Sequence, residues 1–306
     1  MKKKNLILLL IVLAFASSCS NDSDDDSNSS ATVNKTPNLQ ATGSSANDIL
    51  SNVNFDKLLI EITYVRGFRP TETSIDNFVG YLSDRTFKTD IEVTYRELPS
   101  PNEETLILDE IADLEEENRT AYNDGSTLAI YIYFADAPSD GDDLDEGLVT
   151  LGAVYRNTSM IIYESTIRSL ASRSSAITVT DVETATLNHE FGHLFGLVNL
   201  GTEAINEHED IQRDENGNPV LDDNGNPIGN DHCNVEGCLM RAELVFGSSA
   251  ARMLSLAGKT SGLRSACNLN GNTILKMLES NVARGSAAVP RLDAECILDL
   301  QNNGGR

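Results

Sequence analysis

His189-Glu190-Phe191-Gly192-His193-Leu194-Phe195-Gly196 is the stretch on which the reading of this chain turns. Two histidines stand four residues apart, a glutamate follows the first, and a glycine comes three after the second. On a helix, positions i and i+4 share a face. Both imidazoles therefore reach one metal ion, and Glu190 projects at its edge, where a carboxylate can take a proton from an attacking water. The surroundings read as a helix. Leu187, Phe191, Leu194 and Val198 form an apolar stripe at helical spacing. Thr180, with Glu183 three residues on, makes a capping box, and Gly196 sits where the helix can stop. His189 and His193 are thus candidate metal ligands, with Glu190 as candidate general base.

A catalytic zinc takes three protein ligands and leaves one position for water. The motif resembles that of metzincin zinc proteases, His-Glu-x-x-His-x-x-Gly-x-x-His, which places a third histidine six residues after the second. Here that position is Asn199, and an amide oxygen is a poor zinc ligand beside imidazole. The remaining histidines are His208 and His232, with Asn199, Asp231 or water as minor alternatives. His232 opens His232-Cys-Asn-Val-Glu-Gly-Cys-Leu-Met240. That run resembles archaemetzincins, whose third zinc histidine is followed by Cys, four residues, Cys, one residue and Met. The resemblance implies His232 as the third ligand, Met240 as the methionine beneath the site, and residues 199–231 as an insertion. His208, in an acidic stretch, is the rival ligand.

Over about residues 55–305 the chain also resembles exported lipoprotein metalloproteases of bacterial surfaces. The shared runs are His189–Asn199, His232–Met240 and a closing Leu-Asp-x-x-Cys-x-x-Asp-Leu-x-x-x-Gly-Gly, here Leu292–Gly305. The implied fold is α/β (α+β) and zincin-like: a twisted mixed sheet over an active-site helix, with a smaller, mainly helical C-terminal subdomain from about residue 232. The implied activity is a zinc-dependent endopeptidase acting on protein or peptide through one catalytic Zn2+. The rival reading is a catalytically silent, zinc-binding surface lipoprotein that binds protein or glycan. Asn199 favours the rival, while retention of Glu190 argues against it.

Archaemetzincins carry a second, structural zinc on cysteines that include a Cys-x-x-Cys. This chain has none, so its Cys233, Cys238, Cys267 and Cys296 read instead as two disulfides, the preferred pairing among three connectivities being Cys233–Cys238 and Cys267–Cys296. Within the insertion, Asp214–Leu221 and Asp222–Gly229 repeat an Asp-x-Asn-Gly-Asn-Pro pattern. Asn-Gly pairs signal turns, so a flap of two turns is expected, with Ca2+ the minor alternative because the full EF-hand pattern is absent.

Lys2, Lys3 and Lys4 precede an apolar run from Leu6 to Phe15 and then Ala16-Ser17-Ser18-Cys19. Residues 1–18 read as an export leader, and Cys19 as the lipid-bearing first residue of a bacterial outer-membrane, surface-facing lipoprotein. Residues 19–50, rich in Ser, Asp and Asn, read as a disordered tether, and 51–306 as the folded domain. The net charge of −24 becomes −27 once the three leader lysines go. Such a chain repels nucleic acid and anionic head groups, so the membrane is reached only through lipid on Cys19. Oligomeric state is not legible.

Hydrophobic periodicity places strands over 57–65, 90–98, 128–135, 148–155 and 159–163, and helices over 73–83 and 102–118. Asp136–Gly147 reads as an acidic loop. The strand region 148–163 is expected to supply the sheet edge beside the cleft, where an extended peptide can add as a further strand.

Overall fold

Five strands build the sheet over which the histidine helix lies. A short helix, α1 (Ala46–Leu50), precedes β1 (Lys57–Val65), α2 (Glu72–Arg85), β2 (Asp90–Leu98), α3 (Leu108–Asn118), β3 (Thr127–Phe134), β4 (Gly152–Arg156) and β5 (Ser159–Ile162). Then come α4 (Glu164–Ala171), α5 (Val179–Leu194), the ribbon β6 (Glu209–Ile211) and β7 (Gly229–Cys233), and finally α6 (Gly271–Ala283) and α7 (Ala294–Asn302). The structure, a computed structural model, describes residues 33–142, 148–214, 216–241, 263 and 271–306. The expected leader, residues 19–32 of the tether with Cys19, residues 143–147 of the acidic loop and Cys267 lie outside the described residues.

The sheet order is β2-β1-β3-β5-β4. β1 pairs in parallel with β2 and β3, β3 with β5, and only β4 runs antiparallel, at the edge. Alternate side chains of a strand leave on opposite faces, and the central strand β3 is apolar on both. Leu128, Ile130, Ile132 and Phe134 face the α2 and α5 side, with Phe78, Leu82, Leu187 and Phe191. Tyr131 and Tyr133 face the α3 side, with Leu108 and Ile111. This is a mixed-sheet α/β architecture with α5 under the sheet, as the sequence led one to expect, and the strands fall close to their expected places.

Three details differ. Helix α5 is capped two residues earlier than expected. Thr178 accepts from Asp181 N, and Asp181 accepts from Thr178 N at 2.8 Å. Glu183 instead accepts from Thr71 N at 3.0 Å, tying α5 to the start of α2. Val198 lies beyond α5 in a left-handed conformation and does not extend the helical stripe. Residues 34–50 belong to the folded unit and not to a tether. Asn38, fully buried, donates to Asn123 Oδ1 at 2.8 Å and Ala129 O at 3.0 Å, and its carbonyl accepts from Thr158 at 3.0 Å. Ile49 and Leu50 enter the main core.

On the α3 side, the Glu115 carboxylate is 1% exposed and accepts from Arg119 at 2.7 Å, Ser159 at 2.6 Å and Arg156 at 2.9 Å. Arg119 donates onward to Ala129 O at 2.8 Å and Ala121 O at 2.7 Å. A buried pair this fully hydrogen-bonded tolerates loss of one member badly, because the partner charge is stranded. Glu115→Ala should destabilise the protein by about 3–5 kcal/mol, read from the urea midpoint. A loss under about 1 kcal/mol would show that the network is not needed.

Candidate metal centres

His189 and His193 project from the same face of α5, and His232 arrives from β7 to close the set. Ring centroids are 5.0 Å apart for His189–His193, 5.3 Å for His189–His232 and 5.1 Å for His193–His232. One nitrogen from each lies within 4.8 Å of the others, and all three are buried. The Nδ1 of His189 meets the Leu239 carbonyl at 2.7 Å, and that of His232 meets the Asn230 carbonyl at 2.7 Å. A carbonyl only accepts, so both Nδ1 atoms carry the proton and leave Nε2 with its lone pair, the arrangement that orients metal-binding imidazoles. His232 Nε2 and both ring nitrogens of His193 are buried without a hydrogen-bond partner. Orphaned buried nitrogens are costly, and three converging lone pairs suit a divalent zinc.

Burial, reinforced by the charge of His232, holds His189 down at about 3, and burial holds His232 at about 4. His193 lies well below its ordinary value, through burial and then its two neighbours. The triad is therefore neutral at physiological pH, the form that binds metal.

The other candidates separate cleanly. Asn199 is exposed and turned away, donating to Glu209 at 2.6 Å. Asp231 N donates to Glu209 at 2.8 Å, and the Asp231 side chain is not among the grouped donors. His208 is buried elsewhere, with Nδ1 at 2.8 Å from Asn206 O and Nε2 at 3.5 Å from Cys296 Sγ. Glu190 is fully buried beside the triad. Gly152, the first residue of edge strand β4, lies so close that a Cβ there would stand 2.7 Å from Glu190 Cγ. Met240 packs beneath α5, where a Cβ on Gly192 would overlap its sulfur. A small cavity of about 30 Å³ opens beside His189, lined by Leu151, Ala185, Leu239, Arg241, Ile274 and Met277. A larger hollow of about 210 Å³, ringed by Glu103, Glu110, Asp113 and Glu117, lies on α3, across the sheet from the histidines.

The expected Cys233–Cys238 disulfide is not formed. Cys233, Cys238 and Cys296 are free thiols that converge with Asp293. Cys238 Sγ is 3.7 Å from Cys296 Sγ, and the Cys233 thiol donates to Asp293 Oδ2 at 2.9 Å. Two thiolates on one tetrahedral zinc with bonds of about 2.3 Å stand about 3.8 Å apart, which the cysteine pair matches, whereas a disulfide would consume two sulfurs and strand the third. The neighbouring Cys233 and Cys296 hold Cys238 down at about 5. Tyr81 OH and Arg85 Nε are buried without a hydrogen-bond partner. Sequence reasoning missed Asp293 and this second cluster. The signal was the Asp-x-x-Cys of 293–296, which supplies the two donors that a Cys-x-x-Cys would otherwise provide.

No protein-family model matches the chain, and no curated protein matches it in sequence. Among solved structures the chain is similar to the crystal structure of archaemetzincin from Methanopyrus kandleri, at 12% identity and a TM-score of 0.43, covering 81% of this chain and 96% of that one.

The buried imidazoles set a pH dependence for the metal-free protein. Unfolded histidine titrates near 6.5, so below that pH unfolding takes up protons and stability falls as pH drops. Cys238, held at about 5, acts in the same sense. Glu164, raised by burial to about 9, and Asp142, raised by burial to about 7, act oppositely. Three imidazoles and a thiol outweigh these two carboxyls and the lesser upward shifts that burial gives Asp231 and Asp299. Chelator-treated protein should lose roughly 1–3 kcal/mol per pH unit between 6.5 and 5, measured by urea midpoints. A pH-independent midpoint would contradict the assignment of neutral imidazoles.

Proposed function

We propose that this chain is a zinc-dependent endopeptidase of the metzincin type, exported and tethered by lipid on Cys19 to the bacterial outer membrane. The observation that carries the reading is the trio of buried, neutral imidazoles, two of them with Nδ1 committed to carbonyls, and Glu190 buried alongside. His189, His193 and His232 hold the ion. Zinc, when bound there, polarises a substrate carbonyl and lowers the pKa of a water.

Glu190 takes the proton of the attacking water and returns it to the leaving amine. The close approach of Gly152 leaves its carboxylate no room to swing toward β4. β4 pairs only with β5 among the described residues, so its outer edge offers backbone groups to an extended peptide. The cavity beside His189 has room for only a small side chain of that peptide.

The thiol cluster is read as a second metal site, with Cys233, Cys238, Asp293 and Cys296 as a closed, structural ligand set. On this reading the chain holds two ions, where the sequence led one to expect one. Among the described residues no helix is long and apolar enough to cross a membrane, and the anchoring reading rests on the leader and Cys19.

Metal analysis together with a peptide-library digest tests the reading. Wild type should cleave peptides and stop on chelation. Glu190→Ala should keep its metal and lose activity by about 10²-fold or more, while full activity in that variant rejects Glu190 as the base. His232→Ala should lose metal from the imidazole site and His208→Ala should keep it there; the reverse pattern rejects the ligand set.

A further inference from the structure

Between His232 and Met240 the chain serves two centres at once. His232 enters the imidazole triad and the next residue, Cys233, enters the thiol cluster. Cys238 belongs to the cluster, and the next residue, Leu239, receives the His189 Nδ1 proton at 2.7 Å. Met240, one further on, packs against Gly192. Cys233 N donates to Met240 O at 2.9 Å and closes the loop. The far side of the cluster is set at the start of α7, where Asp293 Oδ1 accepts from Glu295 N at 2.7 Å and Cys296 N at 2.9 Å while its Oδ2 faces Cys233. The two segments also meet in one backbone bond, Leu239 N to Arg291 O at 2.9 Å.

His189 and His193 are therefore placed by a helix with its own core. His232 and the carbonyl that orients His189 are placed by a loop whose attachment to α7 is largely the cluster. His208 adds to that attachment. It stands one residue before β6, its carbonyl accepts from Asn234 N at 2.8 Å, and its Nε2 lies 3.5 Å from Cys296 Sγ.

We propose that the thiol cluster is an allosteric metal site: a thiophilic divalent cation, zinc foremost, held by Cys233, Cys238, Asp293 and Cys296, raises the metal affinity of the imidazole site by fixing the 232–240 loop. The proposal rests on both clusters being metal sites, as read above. Coupling between two binding sites is reciprocal, so an ion in the triad strengthens the cluster by the same factor. Losing groups that orient metal ligands typically lowers metal affinity about 10–100-fold, which sets the size of the effect.

The test is a titration of the metal-free full chain with Co2+ and Zn2+ under reducing conditions. Thiolate-to-cobalt absorption reports the cluster, and competition with a zinc chelator reports the imidazole site. In Cys296→Ser the imidazole site should weaken about tenfold or more. In His193→Ala, whose change lies on α5 away from the cluster loop, the cluster should weaken by a matching factor. That second arm stands even if Cys296→Ser folds poorly. Two ions bound by wild type, with unchanged affinities in both variants, overturn the coupling and leave the endopeptidase reading intact. A wild type that binds one ion with no thiolate absorption overturns the cluster as a metal site, and the coupling with it.

Discussion

The hydrogen bond from His189 Nδ1 to the Leu239 carbonyl, 2.7 Å long and spanning fifty positions of sequence, is the contact on which the site depends. It makes one tautomer of His189 the favoured one, and it can form only if the 232–240 loop lies under α5. Two shape constraints hold that loop in place. The Met240 sulfur occupies the space that a side chain at position 192 would fill, and the His232 ring stacks at 25° on His189. All of this is desolvated, so each polar group must find a partner inside the protein. The backbone carbonyls of Leu239 and Asn230 satisfy two of the three Nδ1 atoms, and the remaining lone pairs converge.

That loop must be brought back to a helix the chain has already left. After α5, Val198 and Asn199 adopt φ of +56° and +64°. Left-handed backbone costs a β-branched residue about 1–2 kcal/mol, which the burial of Val198 at 1% exposure offsets. Two left-handed residues in succession turn the chain outward, and Asn199 meets Glu209 instead of the histidines. Glu209 then bridges both ends of the excursion, accepting from Asn199 at 2.6 Å and from Asp231 N at 2.8 Å. His232 follows directly. With its ends joined through one carboxylate, the length between them matters little, since loop-closure entropy grows only logarithmically. The tandem turns at Asp214 and Asp222, each carboxylate accepting two backbone N–H groups, occupy that length without touching the site.

Legibility in the sequence followed how local each determinant is. The strands and α5 carry their periodicity in their own residues and were found nearly in place. The ordered segment 34–50 was not, because Asn38 and Asn157 hold it with polar contacts across the sheet, and composition alone reads such residues as solvated. The cap of α5 was misplaced by two residues because both Thr178–Asp181 and Thr180–Glu183 fit the capping pattern, and only the tertiary contact of Glu183 with Thr71 decides between them. The thiol cluster was misread as disulfides because counting cysteines pairs them, whereas three thiols and one carboxylate converging from two distant segments is a fact of folding. The three histidines singled out in the sequence lie together in space, a grouping that residue type and motif spacing narrow to few alternatives.

Net charge and local environment pull the triad in opposite directions, and burial wins. A chain of net charge −24 raises the positive potential of none of its histidines and would, summed over its surface, favour imidazolium. Surface carboxylates act through solvent whose salt screens them over a Debye length of about 8 Å, whereas removing an imidazolium from water acts at the ring itself. Burial is the largest cause acting on each of His189, His193 and His232. Acidity and metal competence are therefore separable properties of this chain: the surface can carry any charge that solubility requires so long as α5 and the 232–240 loop keep water from the rings. Exposing the triad by loosening that loop would both let protons compete for Nε2 and remove the carbonyl that orients His189, so a single movement would weaken the site twice.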